Sequence, residues 1–212
     1  AFNNACDADG LLSVLRYGFK HRGRRFRVCY FQPESALNQK DAQRYAQNEI
    51  TCNRQWFYSD TTHNSVDMVL AVNGIPVFAF ELKNQFTGQA VENAKQQWMH
   101  DRDPREVCFQ FNKRILGYFC VDLTEVWMAT RLAGKDTRFL PFNQGSNGAG
   151  RDGGAGNPPN PNGYLTAYLW EEVFQKDSMM DILQKFMSLQ DGKTLIDPRY
   201  HQLDVMRKLV AD

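Results

Sequence analysis

Three ionisable side chains interrupt an otherwise apolar stretch of this chain: Asp67, then Glu81 and Lys83 on either side of Leu82. The segments that carry them read as two strands, Ser65 to Val72 and Ile75 to Lys83, joined at Asn73-Gly74; this dipeptide is a strong hairpin signal. Strand side chains alternate between faces. Glu81 and Lys83 therefore travel with Val77 and Ala79, and Phe78, Phe80 and Leu82 lie opposite. On the partner strand Asp67 travels with Val69 and Ala71, against Val66, Met68, Leu70 and Val72. The small residues accompany the charges, so size matching puts Asp67, Glu81 and Lys83 on one side of a sheet. Two carboxylates ~4 Å apart repel by about 4 kcal/mol at an effective dielectric of ~20. Either one takes a proton or a cation sits between them, and hard oxygen ligands with room for water suit Mg²⁺. Such an ion polarises a phosphate oxygen and lowers the pKa of bound water. Lys83 beside it can orient that water or offset charge developing on the phosphate. These parts suffice for phosphodiester hydrolysis. The same residues also fit a plain Glu81–Lys83 salt bridge at a sheet end, with Asp67 a solvated strand start.

Convergence of the three places a demand on register. A two-residue loop at Asn73-Gly74 pairs Asp67 with Phe80 and turns the aspartate to the wrong face. A three-residue loop, Asn73 to Ile75, or a bulge pairs Asp67 with Glu81. One of these is expected.

The elements that position the cluster follow from periodicity. Gly10 to Phe19 has a helical period, with Leu11, Leu12, Leu15 and Phe19 on one face. Phe26 to Phe31 reads as a strand, Ser35 to Glu49 as a helix after Pro33, and Ile50 to Tyr58 as a strand. Gly88 to His100 reads as a helix ended near Pro104, and Arg114 to Val121 and Glu125 to Arg131 as strands. Helices return at Tyr164 to Gln175, Ser178 to Leu189 and from Pro198 onward. Residues 143–163, rich in Gly, Asn and Pro, cannot bury a core and read as a flexible surface loop. The GxGxxG within it, at Gly148, Gly150 and Gly153, runs into Pro158-Pro159 rather than a helix, so a dinucleotide site is disfavoured.

Composition narrows the function classes. The 212 residues carry 25 Lys+Arg against 24 Asp+Glu, which excludes a histone-like basic binder but not a local phosphate patch. The densest positive run is Lys20, Arg22, Arg24, Arg25 and Arg27; it fits phosphate contacts as well as a solvated loop. Arg54 and Gln55 point to opposite faces of their strand, so at most one reaches the cluster. The five cysteines form no CxxC pair and the four histidines no HExxH, so zinc sites are disfavoured; Cys29, Cys52, Cys108 and Cys120 read as buried reduced thiols. No apolar run approaches the ~20 residues that span a bilayer, and no basic-then-apolar leader opens the sequence. A soluble cytoplasmic chain is the expectation, with no membrane partner.

Asp67, a gap, then Glu81-x-Lys83 resembles the D-(E/D)xK nuclease signature. The surrounding words are more specific: Asn53-Arg54-Gln55, Val72-Asn73-Gly74-Ile75-Pro76, Phe80-Glu81-Leu82-Lys83-Asn84, Thr87-Gly88-Gln89, Asp101-Arg102-Asp103-Pro104, Phe109-Gln110-Phe111 and Phe139-Leu140-Pro141-Phe142-Asn143. Together, from about Leu11 onward, they resemble the amino-terminal nuclease domain of the R subunit of type I restriction–modification enzymes. The resemblance implies a restriction-endonuclease-like α/β fold, a mixed β-sheet core flanked by α-helices. It implies Asp67, Glu81 and Lys83 as the catalytic triplet, with Asp67 and Glu81 holding Mg²⁺. It implies double-stranded DNA as substrate, methyltransferase and specificity subunits as partners, and a prokaryotic cytoplasm. R subunits often carry a QxxxY motif on the next helix; this sequence departs from it, with Trp98 where the aromatic is expected, Ala94 four residues before it and Gln96 and Gln97 out of frame, and Gln97 and Trp98 are candidates for DNA contact with Lys20, Arg22, Arg24, Arg25 and Arg54. Pro198-Arg199-Tyr200-His201-Gln202 resembles the glutamine motif that precedes the Walker A loop of superfamily-two helicases, making Tyr200 and Gln202 nucleotide-binding candidates. On that reading residues 1–190 are the endonuclease domain and 191–212 the start of a translocase motor, with ATP used only by the intact protein. A catalytically silent module of the same fold, docking DNA or the methyltransferase, is the alternative.

Overall fold

The computed structural model describes residues 1–35, 37–59 and 62–211. Helices α1 (Phe2–Asp9) and α2 (Leu11–Tyr17) lead into a short hairpin, β1 (Phe19–His21) and β2 (Arg24–Phe26). After α3 (Gln39–Ala46) the chain builds β3 (Ile50–Phe57), β4 (Ser65–Val72) and β5 (Ile75–Leu82). A crossover through α4 (Val91–His100) leads to β6 (Gly117–Val121), β7 (Val126–Ala129) and β8 (Leu140–Pro141). Then come α5 (Lys176–Asp181) between two π-helical turns, Leu169–Val173 and Ile182–Phe186, a hairpin of β9 (Ser188–Gln190) and β10 (Thr194–Ile196), and α6 (Tyr200–Ala211). The expected mixed α/β core is present. One sheet runs β3-β4-β5-β6-β7-β8, antiparallel throughout except for the parallel β5–β6 pair.

The parallel step is what calls for α4, since parallel neighbours need a crossover. Each face of the sheet has its own core. On one side Phe78, Phe80, Phe119 and Val121 pack with α1, α2, the π-helical turns and α6 through Leu11, Leu15, Val173, Leu183 and Leu203. On the other, Val69, Ala79, Tyr118 and Cys120 pack with Val91, Ala94 and Trp98 of α4.

The β4–β5 hairpin meets the register demand by a bulge. Its turn holds two residues, Asn73 at φ 50° and Gly74 at φ 79°, so Val72 pairs with Ile75 and Ala71 with Pro76. One step on, Leu70 pairs with Phe78, and Met68 with Phe80. Val77 is the extra residue, and its carbonyl accepts from Leu116 N at 2.8 Å as β6 begins. Pro76, which has no N–H to lose, sits beside it. The bulge turns Val77 into the Phe78–Phe80 core rather than toward the charges, a departure from strict alternation.

Other expectations are corrected. Of Phe26–Phe31 only Phe26 is in a strand, because the chain there leaves a two-stranded hairpin for irregular structure held by Asn48 and Asn73 side chains. The helices expected over 164–175 and 178–189 are broken into π-helical turns and α5, and Ser188–Gln190 is strand. Cys52 is exposed, because the outer face of edge strand β3 is uncovered; the other four thiols are buried. Residues 143–163 form no helix or strand but are tied by Gly145 N to Gly156 O at 2.8 Å and by buried Asn157, which donates to Thr124 O at 2.9 Å. No helix among the described residues is long and apolar enough to cross a membrane.

A Cβ at Gly74 would meet nothing within 4 Å, so a substitution there tests backbone conformation alone. Gly74→Ala is expected to lower the unfolding free energy by about 1 kcal/mol, measured by urea titration.

Candidate active site

Glu81 and Lys83 leave the end of β5, and Asp67 lies near the start of β4 beside them. Asp67 Oδ2 accepts the Leu82 amide at 2.8 Å, which locks the aspartate against the strand that carries the other two. Lys83 Nζ lies 3.8 Å from Asp67 Oδ2 and 4.0 Å from Glu81 Oε2. The ammonium also donates to Gln97 Oε1 at 2.5 Å, fixing its position from α4. The structure thus brings the three expected side chains together.

Glu81 is 0 % exposed, an expensive place for a carboxylate. Its Oε1 accepts two donors from Arg102, Nε at 2.9 Å and Nη2 at 2.6 Å. When ionised, its Oε2 has no hydrogen-bond donor among the described residues; when protonated, the carboxyl can share its proton with Asp67. Burial drives the Glu81 pKa up to about 8; Arg102 opposes this and the neighbouring Asp67 adds to it. Two carboxyl groups face each other, then, one of them with an unsatisfied buried oxygen.

That donor set fits one kind of metal. No group of three or more His, Cys, Asp or Glu side chains converges among the described residues, which argues against an all-protein cage. Mg²⁺ binds through one or two carboxylates and keeps several waters or takes substrate phosphate oxygens. The orphaned Glu81 Oε2 and the partly exposed Asp67 match that pattern.

Helix α4 positions the second side of the site. Val91, Ala94 and Trp98 recur at helical spacing and face the sheet. Asp122 Oδ2 accepts the Val91 amide at 2.9 Å at the helix start. The Trp98 indole donates to Phe119 O at 3.2 Å and is fully buried. Trp98 is therefore not a DNA contact, contrary to expectation: its alternation with Gln97 turns the ring into the core and the amide toward Lys83. Beyond Gln97 a groove of about 420 Å³ continues along Gln89, Asn93, Gln96 and His100.

Of the remaining candidates Gln55 flanks this centre, and the others lie apart from it. Arg54 pairs with Met68, on the other side of the sheet from Asp67; Gln55 falls between the Arg54–Met68 and Trp56–Val66 pairs, next to Asp67, at φ 47°. Lys20, Arg22, Arg24 and Arg25 are exposed on the β1–β2 hairpin. The chain leaving that hairpin meets the Asn73 side chain through Val28 O at 2.8 Å, at the turn end of β4–β5, roughly 23 Å of strand from Glu81. The Tyr200 ring is buried against Phe142 and Tyr168, and its hydroxyl donates to Glu172 at 2.8 Å. Gln202 Oε1 accepts the Arg199 amide at 3.0 Å, capping α6. Arg102 is the residue that the sequence reading passes over. It stands within a quoted family word, but its distance along the chain from Glu81 gives no sign of the pairing.

A family model described as type I restriction enzyme R protein N terminus matches residues 19–145, which contain the whole cluster. No curated relative matches the chain.

The Glu81 shift has a thermodynamic consequence. Its folded-state pKa, about 8, lies above its ordinary value of 4.5, so the native state holds the proton longer than the unfolded chain does. Its contribution is fully favourable below pH 4.5 and is lost as pH rises through 8. Glu81→Gln cannot titrate. The stability of the metal-free wild type relative to Glu81→Gln should fall by roughly 4 kcal/mol between these limits, measured by denaturant titration at each pH.

Proposed function

The chain belongs to the type I restriction enzyme R protein N-terminal family, and on that basis we propose that Asp67, Glu81 and Lys83 form a Mg²⁺-dependent centre that hydrolyses phosphodiester bonds of double-stranded DNA. The observation that carries this reading is the orphaned Oε2 of a fully buried Glu81 facing Asp67. A carboxyl so placed destabilises the resting protein unless a proton or cation joins it, and a salt bridge to Lys83 alone leaves it without a hydrogen bond.

Asp67 and Glu81 would hold the ion. Bound there, Mg²⁺ would supply polarisation of a phosphate oxygen and activation of water at neutral pH. Lys83, held by Gln97 and nearly buried, can donate to the attacking water or to a non-bridging phosphate oxygen as charge builds on it. Gln97 keeps the ammonium off Glu81 and in line with the groove along α4, where Asn93, Gln96 and His100 offer polar groups to a nucleic-acid strand. Lys20, Arg22, Arg24 and Arg25, exposed on the β1–β2 hairpin, would contact phosphates away from the cluster and supply sequence-independent affinity. On the family reading, recognition of a DNA site would fall to a specificity subunit and modification to a methyltransferase. Residues 191–212 would open the ATP-driven motor, with Gln202 and Tyr200 near its nucleotide only after rearrangement from their present contacts.

Supercoiled plasmid incubated with the intact R subunit, its partner subunits, ATP and Mg²⁺ tests the assignment. Asp67→Ala and Lys83→Ala should each reduce cutting by at least about 100-fold while leaving ATP hydrolysis near wild type. Unchanged cutting in both variants would leave the docking module as the better reading. Separately, Arg24→Ala should weaken DNA binding uniformly across sequences and reduce the slope of log affinity against log salt by about 1.

A further inference from the structure

Arg102 is 7 % exposed and lies just beyond the end of α4, outside the three-residue signature. Its guanidinium reaches three strand ends at once. Nε and Nη2 both donate to Glu81 Oε1, Nη2 also donates to Ser65 O at 2.9 Å, and the group lies 5.8 Å from the centre of the Tyr58 ring. Ser65 begins β4, two residues before Asp67, so one planar group ties the strand carrying the aspartate to the strand carrying the glutamate. The tie is asymmetric. Oε1 receives both donors on the Arg102 side, and Oε2 is left bare on the Asp67 and Lys83 side.

We infer that Arg102 is a positioning residue that removes Glu81 Oε1 from metal ligation and presents Oε2 alone, so that Glu81 binds a divalent ion through one oxygen. This rests on the metal reading of the cluster proposed above. A carboxylate whose one oxygen is engaged by a rigid fork cannot swing to offer both. Partners behind a ligand of this kind typically set metal affinity by 10- to 100-fold. Lysine in place of Arg102 would keep the charge but could not reach Glu81 and Ser65 with the same planar geometry.

Mn²⁺ titration of the 212-residue chain by calorimetry, without DNA, decides the point, with Glu81→Ala as the control that defines the site. Arg102→Ala should bind Mn²⁺ about 10- to 100-fold more weakly, and Arg102→Lys should fall between it and wild type. Thermal melts accompany each variant. Should Arg102→Ala fail to fold, Arg102→Lys decides alone: wild-type affinity in it overturns the inference. So does wild-type affinity in a folded Arg102→Ala. A wild-type chain with no Mn²⁺ site that Glu81→Ala abolishes removes the nuclease reading and this inference together, whereas a site that the Arg102 variants retain removes Arg102's part only.

Discussion

The candidate site depends on one extra residue. Strand side chains alternate, so a one-residue change of register moves every side chain to the other face. With a two-residue turn at Asn73-Gly74 and no irregularity, Asp67 would face the Phe78–Phe80 core, where a carboxylate has no donor. Val77 absorbs the difference. The bulge next to Pro76 lets a tight turn coexist with a register that sets Asp67 against the end of β5, where Oδ2 meets the Leu82 amide. Bulges recur beside active sites because they re-aim side chains without disturbing the rest of the sheet. Here the two cores on either face are intact on both sides of it.

The second constraint is a carboxylate without water. Removing one oxygen of Glu81 from solvent and leaving it unpaired costs free energy of the order of 1–3 kcal/mol or more. Two cations stand near it, and they are not equivalent. Arg102 makes a forked, hydrogen-bonded contact at 2.6 and 2.9 Å; Lys83 stays at 4.0 Å and spends a hydrogen bond on Gln97. The division of labour follows from chemistry: a rigid planar guanidinium anchors, and a compact ammonium on a flexible stem is kept available. The carboxylate pair is thereby held close while part of its charge remains unanswered.

Much of this was legible in the sequence, for identifiable reasons. The hairpin, the face shared by Glu81 and Lys83 and the need for an irregular register follow from alternation and side-chain size over residues 65–83. The family words fixed the fold. Arg102 was not legible as a partner, because its pairing with Glu81 is made by tertiary packing across a crossover. Trp98 was misread because the aromatic of a motif was matched by position rather than by helical phase; with Val91 and Ala94 on the same face, its spacing already pointed inward. Cys52 shows the opposite error, since its apolar neighbours hid that β3 is an edge. The π-helical turns after residue 168 carry no simple periodic signal, and the helical pattern there blurred two breaks into continuous runs.

Helix α4 holds Gln97 near its middle and Arg102 just past its end, and one grips Lys83 while the other grips Glu81. Its start is pinned by Asp122 and its inner face by the Trp98 indole. The helix therefore behaves as a single lever with two claws. Because one helix and the residue just past its end supply both grips, the packing of α4 against the sheet sets the ammonium and the carboxylate together rather than one at a time.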